Sequence, residues 1–316
     1  MIEIDKVCQE LRDKYELELK KEFEQVAFFK KIQTALYYCI GGIIVTNIIL
    51  MLINGGNFDI FRVVGLIVFA IIGVVIVIVF VSFFSHKKLE DFQKKYNEKI
   101  GKYLLELYYS NVSIYNDDYL DYTKIYDSVN YDERYNRDQC YVQAGMKYKD
   151  KDIKLMDIDL DHVETDQNGK EDTTNIFSGI FVEIDLGFNI GTRVAVSKDG
   201  LYGHGIGCKY KVEMDSKDFE DLFNVYADDK VKAMQILTAD VMEIFKQMYK
   251  ASKEGFEVAI IKNKMYLRIP RYRQLFYVGM NNLIEREYIN DDIQSFYLIT
   301  AIIDNVDYAV KHNNVV

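Results

Sequence analysis

The sequence predicts an α+β protein with a membrane-anchored helical part followed by a mainly antiparallel sheet domain. Two long apolar runs lie near the start of the chain, helix-period apolar stripes flank them, and alternating apolar residues begin near Ile153. We therefore expect a transmembrane hairpin with stalk helices over residues 1–110. A connector is expected over 111–152, and a cytoplasmic α+β domain over 153–316.

The apolar runs cover residues 36–53 and 60–84, and Arg62 is the only Asp, Glu, Lys or Arg in either. A bilayer core of about 30 Å requires roughly 20 apolar helical residues, so the lengths of both runs predict spans. The link Asn54–Asp59 is only long enough to reverse the chain. The two spans should therefore form an antiparallel hairpin.

Lysines flank the two runs on their outer sides and predict the orientation. Positive residues near the ends of spans tend to stay cytoplasmic, so both termini should face the cytoplasm and the protein should be a two-pass protein of the cell membrane. The lysines concerned are Lys20, Lys21, Lys30, Lys31, Lys87, Lys88, Lys94 and Lys95.

Apolar residues recur at steps of three and four on both sides of the hairpin, from Ile4 to Phe29 and from Leu89 to Leu107. This period predicts amphipathic helices that leave the membrane side by side. Two interpretations stay open. The helices pair as a stalk, or they pack on the sheet domain or lie at the membrane interface.

The region after the stalk changes character twice. Residues 111–152 are rich in Tyr, Asp and Asn and are expected to form short packed helices, because disordered linkers are usually poor in aromatics. From Ile153 the pattern alternates, and Asn168-Gly169 predicts a hairpin turn. The later elements are a strand at Thr192–Ser197, helices after Ser216, Asp228 and Thr238, a hairpin at Lys262–Lys264 and a closing helix from Asn290.

Composition excludes several functional classes. The net charge is −10, which argues against a general nucleic-acid binder. The four cysteines, Cys8, Cys39, Cys140 and Cys208, include no CxxC pair. Neither a zinc knuckle nor a disulfide framework is therefore indicated, as suits a reducing compartment.

A series of motifs stands in the second half of the chain. They are Phe177-Ser178-Gly179-Ile180-Phe181, Gly191-Thr192, Val212 to Phe219, Phe223 to Asp229, and Ile236-Leu237-Thr238 leading to Met242. This order of motifs resembles a known bacterial membrane family, the one called "domain of unknown function 3137". The resemblance implies a paired-span anchor before a cytoplasmic domain, and it implies no activity and no catalytic residues. Genes of the family are often described beside those of the LemA family, which implies a LemA-like membrane protein as a partner.

An acidic run with one histidine is the first candidate for chemistry. It contains Asp157, Asp159, Asp161, His162, Glu164 and Asp166. A calcium loop does not fit, because a glycine and a bidentate glutamate are missing at the required spacings. Strand alternation instead places Asp157, Asp159 and Asp161 on one solvated face.

Two further segments are candidates for binding. Gly203–Gly207 lacks the spacing of a phosphate loop, so a simple loop is favoured over a ligand cradle. Lys262–Arg273 has five cations and no acid, with Lys262, Lys264 and Arg268 on one predicted face and Met265, Leu267 and Ile269 on the other. It is either a surface for anionic lipid or an acidic partner, or an ordinary solvated strand face.

These observations predict a membrane-anchored, non-enzymatic protein-interaction module, associated with the cell envelope. Its expected partners are membrane lipids and another protein, with no nucleic acid, and no catalytic, cofactor or metal residues are assigned. The alternative is a membrane-tethered, metal-dependent hydrolase that uses His162 and the neighbouring carboxylates.

Overall fold

The computed structural model describes residues 2–53, 60–115, 121–123, 135–198, 207–252, 255–279 and 282–313. Contacts divide the chain into two compact units. One consists of Met1–Tyr96 with Val278–Glu285, and the other of Asn97–Tyr277 with Arg286–Val316. The described strands all lie in the second unit.

The first unit is built on two long paired helices. Its elements are α1 (Ile4–Leu11), the π-helical segment Arg12–Glu16, α2 (Leu17–Ile53) and α3 (Ile60–Tyr96). The rings of Phe23 and Phe92 lie 6.1 Å apart, and Lys95 Nζ lies 2.7 Å from a carboxylate oxygen of Glu22. Earlier in α3, Val79 and Phe83 are exposed. The two helical arms thus contact each other around Phe23 and Phe92, which agrees with the pairing interpretation for this stretch.

The predicted membrane spans at 36–53 and 60–84 need correction. Within the described residues, no helix is both long and apolar enough to cross a membrane. Both runs are helical, since they lie inside α2 and α3. The linking turn 54–59 and many side chains of the runs, including that of Arg62, lie outside the described residues. The span prediction depended on run length and apolarity, which cannot distinguish a spanning helix from other apolar helices.

The second unit contains one nine-stranded antiparallel sheet with the order β1-β2-β3-β4-β9-β8-β5-β7-β6. The α+β character and the antiparallel sheet agree with the sequence prediction. The strands are β1 (Ser110–Tyr115), β2 (Arg137–Tyr148), β3 (Lys151–Thr165), β4 (Glu171–Asp185), β5 (Arg193–Ser197), β6 (Tyr210–Val212), β7 (Asn224–Ala227), β8 (Glu257–Ile261) and β9 (Lys264–Pro270).

Among the described residues of the second unit, five helices have defined bounds, and their caps follow the sequence in part. They are α4 (Lys102–Glu106), which follows a π-helical segment at Asn97–Gly101, α5 (Lys217–Glu220), α6 (Lys230–Ile236), α7 (Ala239–Ser252) and α8 (Arg286–His312). Thr238 Oγ1 accepts the Val241 N–H and so caps α7, whereas the Ser216 side chain makes no capping bond. The closing helix α8 begins at Arg286 and not at the predicted Asn290.

The short helices predicted for the connector are wrong at its two ends, and residues 116–120 and 124–134 lie outside the described residues. Residues 110–115 and 137–148 are the first two strands, whereas short helices were expected there. The register of β2 against β3 shifts between Cys140 and Val142. Because a one-residue shift moves side chains to the opposite face, it interrupts the alternation that would have revealed the strand.

Both faces of the sheet are buried at its centre. Leu155, Val182 and Leu267 are aligned across three strands on one face, and none is exposed. The other face has a core cluster that includes Met156 and Phe181. Because the sheet is covered on both sides, an acidic residue of β3 can be buried on either face.

Two core residues of the Phe177–Phe181 motif lie where the sequence predicts. Phe177 and Phe181 are buried, and Phe181 stacks on Tyr266 with 6.1 Å between ring centroids. Gly179 has φ +147°, and a Cβ there would collide with the carbonyl oxygen of Ile269. The glycine therefore permits β9 to approach β4.

Candidate functional site: an arginine-lined pocket at the end of β9

The acidic residues of β3 share a face, as predicted, but they are not a solvated set. Asp157 is buried, and its Oδ2 accepts the Leu275 N–H at 2.6 Å. Asp159 accepts hydrogen bonds from Tyr141 Oη at 2.6 Å and from the Ser178 hydroxyl. Alternation identifies which residues share a face but cannot tell whether that face is covered.

His162 does not join these carboxylates in a metal site. Its Nε2 lies 3.4 Å from Glu164 Oε1, while Asp161 accepts a hydrogen bond from Asn175. Among the described residues there is no group of three or more His, Cys, Asp or Glu side chains that could hold a metal ion. The predicted loop at 203–206 lies outside the described residues, and its last glycine, Gly207, accepts a hydrogen bond from Arg193.

The basic segment at 262–273 has the predicted faces but not the predicted exposure. Met265, Leu267 and Ile269 are buried on one face. On the other face, Arg268 is also buried, lies 2.8 Å from Glu257 and covers the ring of Phe177. Because the Arg268 guanidinium is buried and paired, it contacts neither lipid headgroups nor solvent, so both predicted interpretations are wrong at Arg268.

The end of this segment instead forms a wall of a pocket of about 280 Å³. The other walls come from the end of α7 and the first turns of α8. The lining residues are Met248, Ala251, Ser252, Ile269, Pro270, Arg271, Tyr272, Arg273, Glu287, Asp291, Gln294, Ser295 and Leu298.

Two ion pairs fix the arginines of the pocket. Arg271 Nη2 donates to Asp292 Oδ1 at 2.6 Å, and Arg273 Nη2 donates to Asp291 Oδ2 at 2.9 Å. The Arg273 guanidinium also lies 4.1 Å from the centre of the Tyr288 ring. Each guanidinium still has a buried N–H group, Nη1 of Arg271 and Nε of Arg273, without a hydrogen-bond acceptor in the described part of the protein.

The carboxylates behind the pocket are buried, and this changes their acidity. Burial raises the pKa of Asp157 to about 7, against the opposing effects of the Leu275 N–H and of Arg271. Burial also raises the pKa of Asp292, although Arg271 and the Phe276 N–H act in the opposite direction. Neither carboxylate is among the pocket-lining residues, so the pocket does not present them to a ligand.

The two serines of the pocket donate to backbone carbonyls. Neither His nor Cys is among its lining residues. The Ser252 hydroxyl donates to the Gly255 carbonyl at 2.8 Å, and the Ser295 hydroxyl donates to the Asp291 carbonyl at 2.9 Å. An activated nucleophile requires a base within hydrogen-bond reach, and neither serine has one.

Comparison with known families gives one match. Residues 175–308 match the family described as "Protein of unknown function (DUF3137)". No curated protein and no solved structure matches the chain significantly. The resemblance carried by the sequence motifs is therefore confirmed for this part of the chain, and every lining residue of the pocket lies inside the DUF3137 region.

The sequence had indicated the arginines of the DUF3137 region but not their partners. Asp291 and Asp292 were interpreted as the opening of the closing helix, whereas α8 begins at Arg286 and places them in its second turn. A group of cations without nearby acids, in an acidic chain, was the available signal. It indicates that the partners are distant in sequence without identifying them.

Proposed function

We propose that the DUF3137 region is a non-enzymatic protein-interaction module that binds its partner at the arginine-lined pocket. The observation that carries this proposal is the position of Tyr272. Its side chain is 81% exposed at the pocket, between two arginines that are each held by a carboxylate. Tyrosine and arginine are the residues most enriched, with tryptophan, at the energetic centres of protein interfaces.

The geometry favours binding because the arginines are already ordered. Ordering a flexible side chain on association costs about 0.5–1.5 kcal/mol, and Arg271 and Arg273 are fixed before any partner arrives. Glu287 and Asp291 also line the pocket, so the positive charge is balanced locally, which supports a peptide ligand over a free anion.

The first candidate partner is the LemA-like membrane protein that the family resemblance implies. An enzymatic function receives less support, because the acidic residues of β3 are bound to neighbouring groups and the pocket serines donate to backbone carbonyls. An exposed aromatic residue beside ordered arginines is typical of a binding surface and serves no evident catalytic role.

The test is site-specific photo-crosslinking in full-length protein in its native cells. A benzophenone amino acid replaces Tyr272 in one variant and Tyr308, which is 60% exposed on α8, in a control variant. We expect one main protein adduct from position 272 and none from 308, and an antibody against the LemA-like protein tests its identity.

A second variant combines the crosslinker at position 272 with Ala251→Trp, which fills the pocket. An adduct that survives this substitution, or identical adducts from both positions, would contradict the proposal.

A further inference from the structure

The outer edge of β4 has a stretch that is not paired with β9. β9 pairs with β4 only from Gly179, opposite Pro270, to Asp185. Over Glu171–Asn175, β4 pairs with β3 on one side, no described strand lies on the other, and all five residues are exposed. Residues 171–175 form the β4 edge.

The hydrogen bonds of the neighbouring strand determine which backbone groups the β4 edge presents. Val163, opposite Thr173, donates its N–H to Asn136 Oδ1 at 2.7 Å, and its carbonyl accepts the Asn136 side-chain amide at 2.8 Å. The Val163 backbone therefore faces away from β4. Because bonded and non-bonded pairs alternate in an antiparallel ladder, the backbone groups of Thr173 and Asn175 also face away from β3, toward solvent.

Natural proteins usually protect such an edge with lysine, proline or a covering element. The β4 edge contains neither lysine nor proline, its five residues are exposed, and no described element covers it. The two threonines at its centre, Thr173 and Thr174, have branched side chains that favour strand pairing. The backbone of the β4 edge is therefore available for pairing with another strand.

The charges at the β4 edge indicate what kind of strand would bind. Glu164 lies directly opposite Asp172, and like charges in this relation destabilise a sheet. Glu171 is neutralised by Arg137, whose Nη2 lies 2.6 Å away, whereas Asp172 forms no ion pair with a described residue. A cation on an added strand, placed opposite Asp172, would offset this repulsion.

We infer that the β4 edge binds an extended basic segment of the protein partner by β-strand addition, with a lysine or arginine against Asp172. The added strand occupies the place beside β4 that β9 leaves after Pro270. The Arg271 N–H donates to the Ser178 carbonyl at 2.9 Å, so one end of the added strand reaches Arg271 and Tyr272 at the pocket. The inference rests on the proposed function for the protein nature of the partner.

The test is hydrogen–deuterium exchange of the full-length protein with a short synthetic peptide that alternates threonine and lysine. We expect the peptide to slow amide exchange over residues 171–175. The same peptide with glutamate in place of lysine should give no protection, and Asp172→Lys should reverse this preference. Failure of the lysine peptide to protect the β4 edge, or equal protection by both peptides, would overturn the inference.

Proline substitution tests whether the backbone makes the contact. Thr173→Pro removes an N–H that faces solvent, so it should leave the melting temperature unchanged and abolish protection by the peptide. Thr173→Ala should keep both the melting temperature and the protection. Thr174→Pro removes an N–H that faces β3 and serves as the control for damage to the fold. Protection that survives Thr173→Pro refutes strand addition. If position 272 gives a specific crosslink but the β4 edge is not protected, strand addition is refuted and the proposed function stands. If the β4 edge is protected but position 272 gives no specific crosslink, the pocket is refuted as the binding site.

Discussion

Arg271 and Asp292 form a buried ion pair that also holds the backbone of the following loop. One carboxylate oxygen accepts Arg271 Nη2 at 2.6 Å, and the other accepts the Phe276 N–H at 3.0 Å. Their side chains are only 10% and 1% exposed. One aspartate of α8 thus fixes both a wall of the pocket and the path of the chain that leaves β9.

Removal of this carboxylate should destabilise the protein strongly. Asp292→Ala leaves the Arg271 charge buried without its partner, which typically costs about 3–5 kcal/mol. Asp291→Ala, which removes the half-exposed partner of Arg273, is the control and should cost less than about 1 kcal/mol. Urea unfolding of the full-length variants measures both values. Similar small losses for the two variants would show that the buried pair contributes little.

Asp157 should make stability decrease as pH rises. Its pKa is raised from 3.8 to about 7 by burial, so the folded state holds a proton that the unfolded state releases. The stabilising contribution is complete below about pH 4 and is lost as pH rises toward 7, because the folded state then binds more protons than the unfolded one. Asp157→Asn should remove this decrease while its amide oxygen still accepts the Leu275 N–H.

The measurement for Asp157 is urea unfolding of the wild type and of Asp157→Asn at several pH values between 4 and 8. The difference between the two proteins isolates Asp157 from the other titrating groups, including Asp292. We expect the variant to gain stability relative to the wild type as pH rises. A pH-independent difference would mean that Asp157 is already ionised in the folded protein at low pH.

The sequence was most informative where the signal is local. Asn168-Gly169 predicts the β3–β4 hairpin because a tight hairpin loop needs a residue with positive φ, and Gly169 supplies it with φ +79°. Thr238 predicts the start of α7 because a hydroxyl can accept an N–H of the first helical turn. Each prediction depends on a few neighbouring residues, so no knowledge of the tertiary structure is required.

The sequence failed where the answer depends on distant residues. Buried Asp157 accepts the Leu275 N–H, and Arg271, which is nearly buried, donates to Asp292. Neither pair is adjacent in sequence. Alternation correctly placed Asp157 and Asp159 on one side of β3 but gave no sign of what covers that side. The pocket could not be predicted for the same reason, since its three walls come from separate elements.

Phe181→Ala should destabilise the second unit strongly. The ring is fully buried and stacks on Tyr266, and truncation removes buried apolar area and leaves a cavity, at about 3–5 kcal/mol. Thermal melts and accumulation of the full-length protein measure the effect. Thr173→Ala, at an exposed position of β4, is the control. A normal melt for Phe181→Ala would contradict its place in the core.

Asp159→Asn should lower the free energy of unfolding more than the same substitution at a solvated strand position would. The carboxylate accepts hydrogen bonds from Tyr141 and Ser178, and hydrogen bonds to charged groups contribute about 1.5–3 kcal/mol each before compensation by the remaining amide oxygen. We expect a loss of about 1–2 kcal/mol in urea unfolding. Tyr141→Phe in the Asp159→Asn background should then cost less than it does in the wild type. Additive losses would show that the two side chains act independently.

Gly179→Ala should separate the cost of a close backbone approach from that of an unusual dihedral. Gly179 has φ +147°, and an added Cβ would collide with the Ile269 carbonyl oxygen and lie 2.8 Å from the Arg271 nitrogen. Gly187 has φ +76°, and a Cβ there meets nothing within 4 Å. Gly187→Ala should therefore cost about 1 kcal/mol from backbone strain alone. Gly179→Ala should cost clearly more and should also accelerate amide exchange in β9, because the two strands must separate. Equal losses of stability for the two variants would mean that β9 adapts without leaving β4.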